Sequence, residues 1–241
     1  MGTFVQTQVK IYVDGYDFSG DMNGVALASG AEAKDSTTYG DDTRTMLGGL
    51  RTVSLTESGL WTGGAAKDKV WFDNVGVSNK PVSVMPTTGA AGEPAFFFNS
   101  MQSQYVPGEA VGEIFKFNVE AQSQDELVRG SVLFPLTTVT STDVSTGQVL
   151  GAASATQKVY AALHVMSASG TSPTLDVVVQ SDTSGFGSPT DQITFDQAAT
   201  LGSQIKEVGP GAITDTYWRI SYTIGGSATP TFSFAVMLGI Q

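Results

Sequence analysis

Apolar and polar residues alternate with a period of two along most of this chain, the spacing of strands that cover one face. In EIFKFNVEAQ, Phe115, Phe117, Val119 and Ala121 fall on one side and Lys116, Asn118 and Glu120 on the other. That predicts a half-buried antiparallel strand with a core face and a water face. The same alternation groups Val9, Ile11 and Val13 in QVKIYVDG, Val25 and Leu27 in GVALASG, and Val53 and Leu55 in RTVSLTESGLW. After Gln122 the polar turn SQDE leads into LVRGSVLF, the expected return strand of a hairpin. Short strand-like pieces, PVSVMP and PAFFFNS, flank the turn TTGAAGE.

Residues 135–155 are rich in Thr and Ser and nearly uncharged, the composition of a linker. Beyond them the alternation resumes in VYAALHVM, TLDVVVQS, DQITF, TYWRISYTI and TFSFAVMLGI. Trp218, Ile220, Tyr222 and Ile224 share one face, Phe232, Phe234, Val236 and Leu238 another, and GGSATP reads as the turn between their two strands. The expected architecture is all-β with minor α. Residues 1–142 read as one unit of strands with a short helix and a long loop, and 143–241 as a small β-sandwich or jelly roll. Helical periodicity is weak; the short helix is expected either around Thr43 to Leu47 or after Trp61.

One stretch resists the strand pattern. KDSTTYGDDTRTMLGGL, Lys34 to Leu50, is too long for a hairpin turn and too polar for a buried helix. Loops beyond about 12 to 15 residues without structure of their own are usually functional or disordered.

Composition narrows the choice. With 41% hydrophobic residues, 15% charged and 28 glycines, the 241-residue chain is a turn-rich β protein and not a disordered one. A net charge of −11 with no basic cluster excludes a protein that grips nucleic acid, and leaves open a surface past which DNA slides. The absence of cysteine excludes disulfides and thiolate chemistry and fits a reducing compartment. The N-terminal residues lack a signal-peptide pattern, and Gln6 breaks the myristoylation motif. Apolar runs fall short of the ~18 residues that span a bilayer, so no membrane association is expected.

Catalytic motifs are lacking. His164 shares a strand face with Tyr160, Ala162 and Met166, no G-x-S-x-G nucleophile elbow exists, and the histidine reads as structural. DFSGDMNG misses the calcium-loop pattern, with Ser19 at its first position and Gly30 at its twelfth, and reads as a tight turn. Phosphate loops are absent, no carboxylate pair stands out, and no cofactor or metal is implied. Trp61, Trp71 and Trp218 offer rings for sugar stacking, though packing is the commoner role of a strand tryptophan.

Taken in order, VDGYDFSGDMNGVAL and AEAKDSTTYGDDTRTMLGGLRTVSLTESGLW resemble the N-terminal part of the major tail tube proteins of long-tailed bacteriophages. The matching positions are Gly15, Asp17, Phe18, Ser19 and Gly20, then Ala33, Asp35, Thr37, Tyr39, Gly40, Asp41, Arg44, Gly49, Leu50 and Trp61. The run YVPGEAVGEIFKFNVEAQSQDELVRGSVLF is similar to that family's closing hairpin, so the resemblance covers roughly residues 5 to 140. It implies an orthogonally packed sandwich that forms rings, usually of six, stacked into a hollow tube for DNA ejection, with a loop reaching to the next ring. It also implies no enzyme activity, and a location in the virion tail after assembly in the host bacterial cytoplasm. The implied partners are further copies of the chain and the terminator, tape-measure and baseplate proteins, with DNA passing through unbound. Six copies at −11 sum to about −66, a charge that repels duplex DNA.

On this resemblance Asp35, Thr37, Thr38, Tyr39, Gly40, Asp41, Asp42, Arg44, Gly49 and Leu50 are the expected inter-subunit contacts. Tyr39 is the apolar anchor, and Gly48 and Gly49 the bend back into the sheet. Lys116, Asn118 and Glu120 are the candidates for the lumen. The alternative is a virion decoration or fibre-type protein whose C-terminal sandwich binds host carbohydrate through Tyr217 or Trp218. A carbohydrate-active enzyme is the least supported of the three.

Overall fold

The computed structural model describes residues 8–62 and 66–241. The first seven residues, which were read above for targeting signals, lie outside that range. The chain divides into two compact units, one of Met1–Gly20, Lys80–Asn99 and Val128–Gln241, the other of Asp21–Asn79 and Ser100–Leu127. The expected boundary at 142/143 is therefore replaced by an interleaved division.

The larger unit contains β1 (Lys10–Val13), β2 (Tyr16–Asp17), β5 (Lys80–Met85) and the first part of β6 (Pro94–Pro107). It continues with β8 (Val128–Val139), β9 (Asp143–Val144), β10 (Gln148–Val149), β11 (Val159–Asp182), β12 (Thr190–Thr194), β13 (Gly202–Val208) and β14 (Tyr217–Ile240). The main strand order is β12-β11-β14-β8-β6-β5-β1-β2. β8 pairs with β14 from Ser131↔Leu238 to Val139↔Phe232, which ties residues before 142 to the chain's last strand. β9 and β10 also pair with β14, so the expected linker is part of the sheet.

β11 and β14 form an antiparallel ribbon of 24 residues each, paired from Val159↔Ile240 to Asp182↔Tyr217 with register shifts between Val165 and Ser167 and on either side of Thr171. GGSATP is no turn between strands: it lies inside β14. There Gly226, Ala228 and Thr229 have positive φ, opposite Gly170 and Ser172 with positive φ in β11. On each side of this kink one face of the ribbon supplies the same core. Leu163, Val165, Phe234 and Val236 come from one half, and Val177, Val179, Trp218 and Ile220 from the other. The opposite face of the first half, with Ala162, Ala235 and Met237, packs with Tyr12, Met85, Phe97 and Val132. Burial on both faces is why VYAALHVM and FAVML read as nearly unbroken apolar runs.

His164 sits in this double-faced layer, fully buried, with Nε2 2.8 Å from Ser83 Oγ and Nδ1 2.7 Å from Ser203 Oγ. Both ring nitrogens are satisfied by hydroxyls, and burial lowers its pKa to about 3, so the imidazole is neutral. The structural role read from the sequence holds.

The smaller unit is a sheet of β3 (Met22–Asp35), β4 (Met46–Leu60), β7 (Lys116–Ser123) and the second part of β6, in the order β3-β4-β7-β6, with α1 (Ala66–Asp73). Val53, Leu55, Phe117, Val119 and Ala121 are buried on one face, as their alternation predicts. Of the two places expected for a helix, only the one after Trp61 forms it. Asp68 in its first turn, where a carboxylate suits the helix dipole, accepts hydrogen bonds from Trp61 Nε1 at 2.8 Å and from the Tyr105 hydroxyl. Gln102 Nε2 donates to Trp71 O at 2.6 Å and ties the helix to β6. Met46 and Leu47 instead pair with Asp35 and Lys34, so ladder bonds claim the alternative site.

Candidate assembly interface

The polar stretch from Lys34 to Leu50 is the end of a hairpin. Its two flanks belong to β3 and β4, leaving residues 36–45 as the connection. Ser36 N donates to Thr45 O at 2.9 Å and Thr45 N to Thr37 Oγ1 at 3.1 Å, closing the neck. Asp35 Oδ1 accepts from Thr37 N at 2.9 Å and from Thr37 Oγ1 at 2.5 Å; these two bonds hold its pKa below the ordinary carboxylate value. Asp41 Oδ2 accepts from Thr38 N at 2.7 Å and Thr38 Oγ1 at 3.1 Å, while Asp41 N returns a bond to Thr38 O at 3.0 Å. Short polar side chains satisfy the turn's own backbone, so the tip holds its shape without a core.

Everything from Ser29 to Leu50 is exposed except the half-buried Ser36 and Gly49. The structure thus brings Asp35, Thr37, Thr38, Tyr39, Gly40, Asp41, Asp42, Arg44, Gly49 and Leu50 onto one projecting arm. Tyr39, Met46, Leu47 and Leu50 offer apolar surface there to solvent. Gly48 and Gly49 do not bend the chain back. They lie within β4 at a register shift between the pairs Ala31↔Arg51 and Ala33↔Gly48, and a Cβ on Gly49 would meet Glu32 Cβ at 3.0 Å. β3 pairs only with β4 among the described residues, so its outer edge is open.

Lys116, Asn118 and Glu120 share the exposed face of β7, opposite Leu60, Ser58 and Thr56 of β4. One cation and one anion offset each other, so this strip is polar and not strongly acidic. Beneath it, the inward positions of β4 include Glu57, 1% exposed, with neither carboxylate oxygen bonded. Burial raises its pKa to about 8, which keeps the group protonated at neutral pH.

The two aromatic residues proposed for glycan contact are not brought together. Trp218 is completely buried and its Nε1 donates to Gly151 O at 2.8 Å, so its ring faces no sugar. Tyr217 is half-buried at the start of β14, paired with Asp182 and Val149. Among the described residues no group of three or more metal-ligating side chains occurs, and no helix is long and apolar enough to cross a membrane.

Sequence reasoning missed two features of the smaller unit. Phe115, assigned inward by alternation, lies before β7 begins; it is exposed and packs edge-on against Trp61 with centroids 5.5 Å apart. Glu57 sits at an inward position of the series Val53, Leu55, Glu57, Gly59, and the parity of that series was the signal that could have found it.

No family model matches the chain, and no curated protein matches it in sequence. Among solved structures it is similar to a chain of the virion of a native gene transfer agent particle, at 15% identity and TM-score 0.41, over 52% of this chain and 96% of that one. It is similar to the SPP1 tail tube at 13% identity and TM-score 0.43, over 52% and 77%. It is also similar to SPP1 Dit, described as a hub adsorption apparatus protein of phages infecting Gram-positive bacteria, at 10% identity and TM-score 0.40, over 98% and 100%. Superpositions this loose say what the chain is similar to and nothing of what it does.

Proposed function

We propose that this protein is a structural subunit of a virion tail, which joins copies of itself through the arm formed by β3 and β4. The observation that carries the reading is the arm itself. It is a self-supporting hairpin, solvated on both faces, that presents Tyr39, Met46, Leu47 and Leu50 where a lone chain gains nothing from exposing them. The open edge of β3 adds a row of backbone donors and acceptors, a hazard in a monomer and a joint in an assembly. The ordered resemblance of residues 5 to 140 to tail tube proteins points the same way.

The finer reading is a ring, six copies by that resemblance, stacked into a tube through which DNA is ejected. Its other partners would be terminator, tape-measure and baseplate proteins, in a tail put together in the host cytoplasm. The strip of Lys116, Asn118 and Glu120, hydrogen-bonding but nearly neutral, suits a wall that wets without gripping phosphate. The reading assigns the chain no reaction and no cofactor. Carbohydrate binding by the larger unit loses its main support with the burial of Trp218.

The test is electron microscopy of the purified full chain beside Leu47→Asp and a variant with residues 37–44 replaced by a short Gly-Asn turn. Rings or tubes are expected from the unaltered chain, and folded monomers from both variants. Monomers at all concentrations from the unaltered chain would overturn the proposal.

A further inference from the structure

The smaller unit has apolar surface beyond the arm, and Phe72, Val75 and Val77, at and after α1, are one such set. Another is formed by Leu60, Trp61, Val106, Val111, Ile114 and Phe115, all at least 36% exposed, with Val111 at 107% and Ile114 at 66%. It is held together locally. Trp61 N donates to Phe115 O at 3.0 Å, Gly108 N to Lys116 O at 3.0 Å, and Leu60 pairs with Lys116. Trp61 is also pinned through its indole to Asp68, so the shelf is a fixed surface.

Position along β4 relates this shelf to the arm. The arm is at the N-terminal end of that strand, and the shelf is at its C-terminal end. From Leu50 to Leu60 the strand advances roughly ten residues, about 33 Å at ~3.3 Å each. Two unlike apolar surfaces at opposite ends of one sheet can meet in a two-fold dimer only if two arms exchange at once, each seated on the other copy's shelf. A head-to-tail contact needs no such exchange and repeats from copy to copy. One pair of opposite charges is available: among the described residues Arg44, on the arm beside Asp41 and Asp42, makes no ion pair, and Glu113, between Val111 and Ile114, makes none either, whereas Lys34 and Lys116 are paired within the chain to Glu32 and Glu109.

Resting on the assembly reading above, we infer that the shelf is the seat for the arm of a second copy of this chain. Leu47, Leu50 and Tyr39 cover Ile114, Val111 and Trp61, and Arg44 meets Glu113. The contact runs one way, arm of one copy to shelf of the next, so each copy gives one and receives one.

The chain has no cysteine, which permits a direct test. The double variant Leu47→Cys/Ile114→Cys, oxidised under assembly conditions, is expected to give a ladder of covalent multimers on a non-reducing gel. An equimolar mixture of the two single variants should stop at heterodimers. Arg44→Glu and Glu113→Arg should each raise the concentration needed for assembly about tenfold, and the two together should restore it. Tubes or rings that form without the ladder, or Leu47→Cys homodimers in place of it, would overturn the seat and leave the assembly reading standing. Failure of the unaltered chain to assemble at all would overturn both.

Discussion

Two titratable side chains, Glu57 and His164, are buried in their neutral forms, and they bear on stability with opposite signs. Glu57 keeps its proton in the folded chain up to about pH 8, whereas unfolded it releases it near 4.5. Its contribution is fully present below pH 4.5 and is lost as pH rises toward 8, on the order of a few kcal/mol in total. Glu57→Gln, which cannot ionise, should make a nearly pH-independent contribution, so its advantage over the native residue grows as pH rises. Urea midpoints of the two proteins should lie close at pH 4.5 and separate progressively to pH 9 in favour of the glutamine. A constant difference across that range would mean that the carboxyl finds a partner for its charge. His164 works the other way: unfolded it binds a proton below about 6.5, folded only near 3, so its contribution is present above 6.5 and is lost as pH falls.

At the scale of elements, the long ribbon of β11 and β14 depends on close backbone approach by its neighbour β8. A Cβ on Gly130 would lie 2.0 Å from Leu238 O and 2.7 Å from Gly239 Cα, both main-chain atoms that no rotamer moves away. Gly130→Ala should cost at least about 1–3 kcal/mol, read as a lower denaturation midpoint. Gly40→Ala at the arm's tip, where nothing lies within 4 Å and φ is ordinary, should leave the midpoint unchanged. The strands themselves were legible because alternation is a local property: Val53 and Leu55, Phe117 and Val119, and Trp218 and Ile220 all fall on the faces that their spacing predicts. The arm was legible as an anomaly, since its Thr and Asp residues bond their own backbone in place of a core. GGSATP was not legible as a strand interior, because Gly and Pro in such a run signal a turn, and only pairing across the ribbon with residues more than fifty positions away keeps it within β14.

For the whole molecule, the two signs of pH dependence fall on different units, Glu57 in the smaller and His164 in the larger. Amide exchange, corrected for the intrinsic rate at each pH, should show protection in β4 and β7 weakening from pH 5 to 9. Protection in β11 and β14 should weaken instead from pH 7 to 4. Parallel changes in both sets would show that unfolding is a single event insensitive to where the buried groups lie. The sequence by itself determined the all-β character, the faces of most strands, a structural histidine and a long polar stretch that fits neither strand nor helix, because each of these depends on residues within a few positions of one another. The tertiary structure alone decided the interleaved division of the chain, the enclosure of Trp218, the burial of Glu57 and the shelf at the far end of β4. These depend on which distant strands pair and which faces are covered twice, and a period of two carries no record of either.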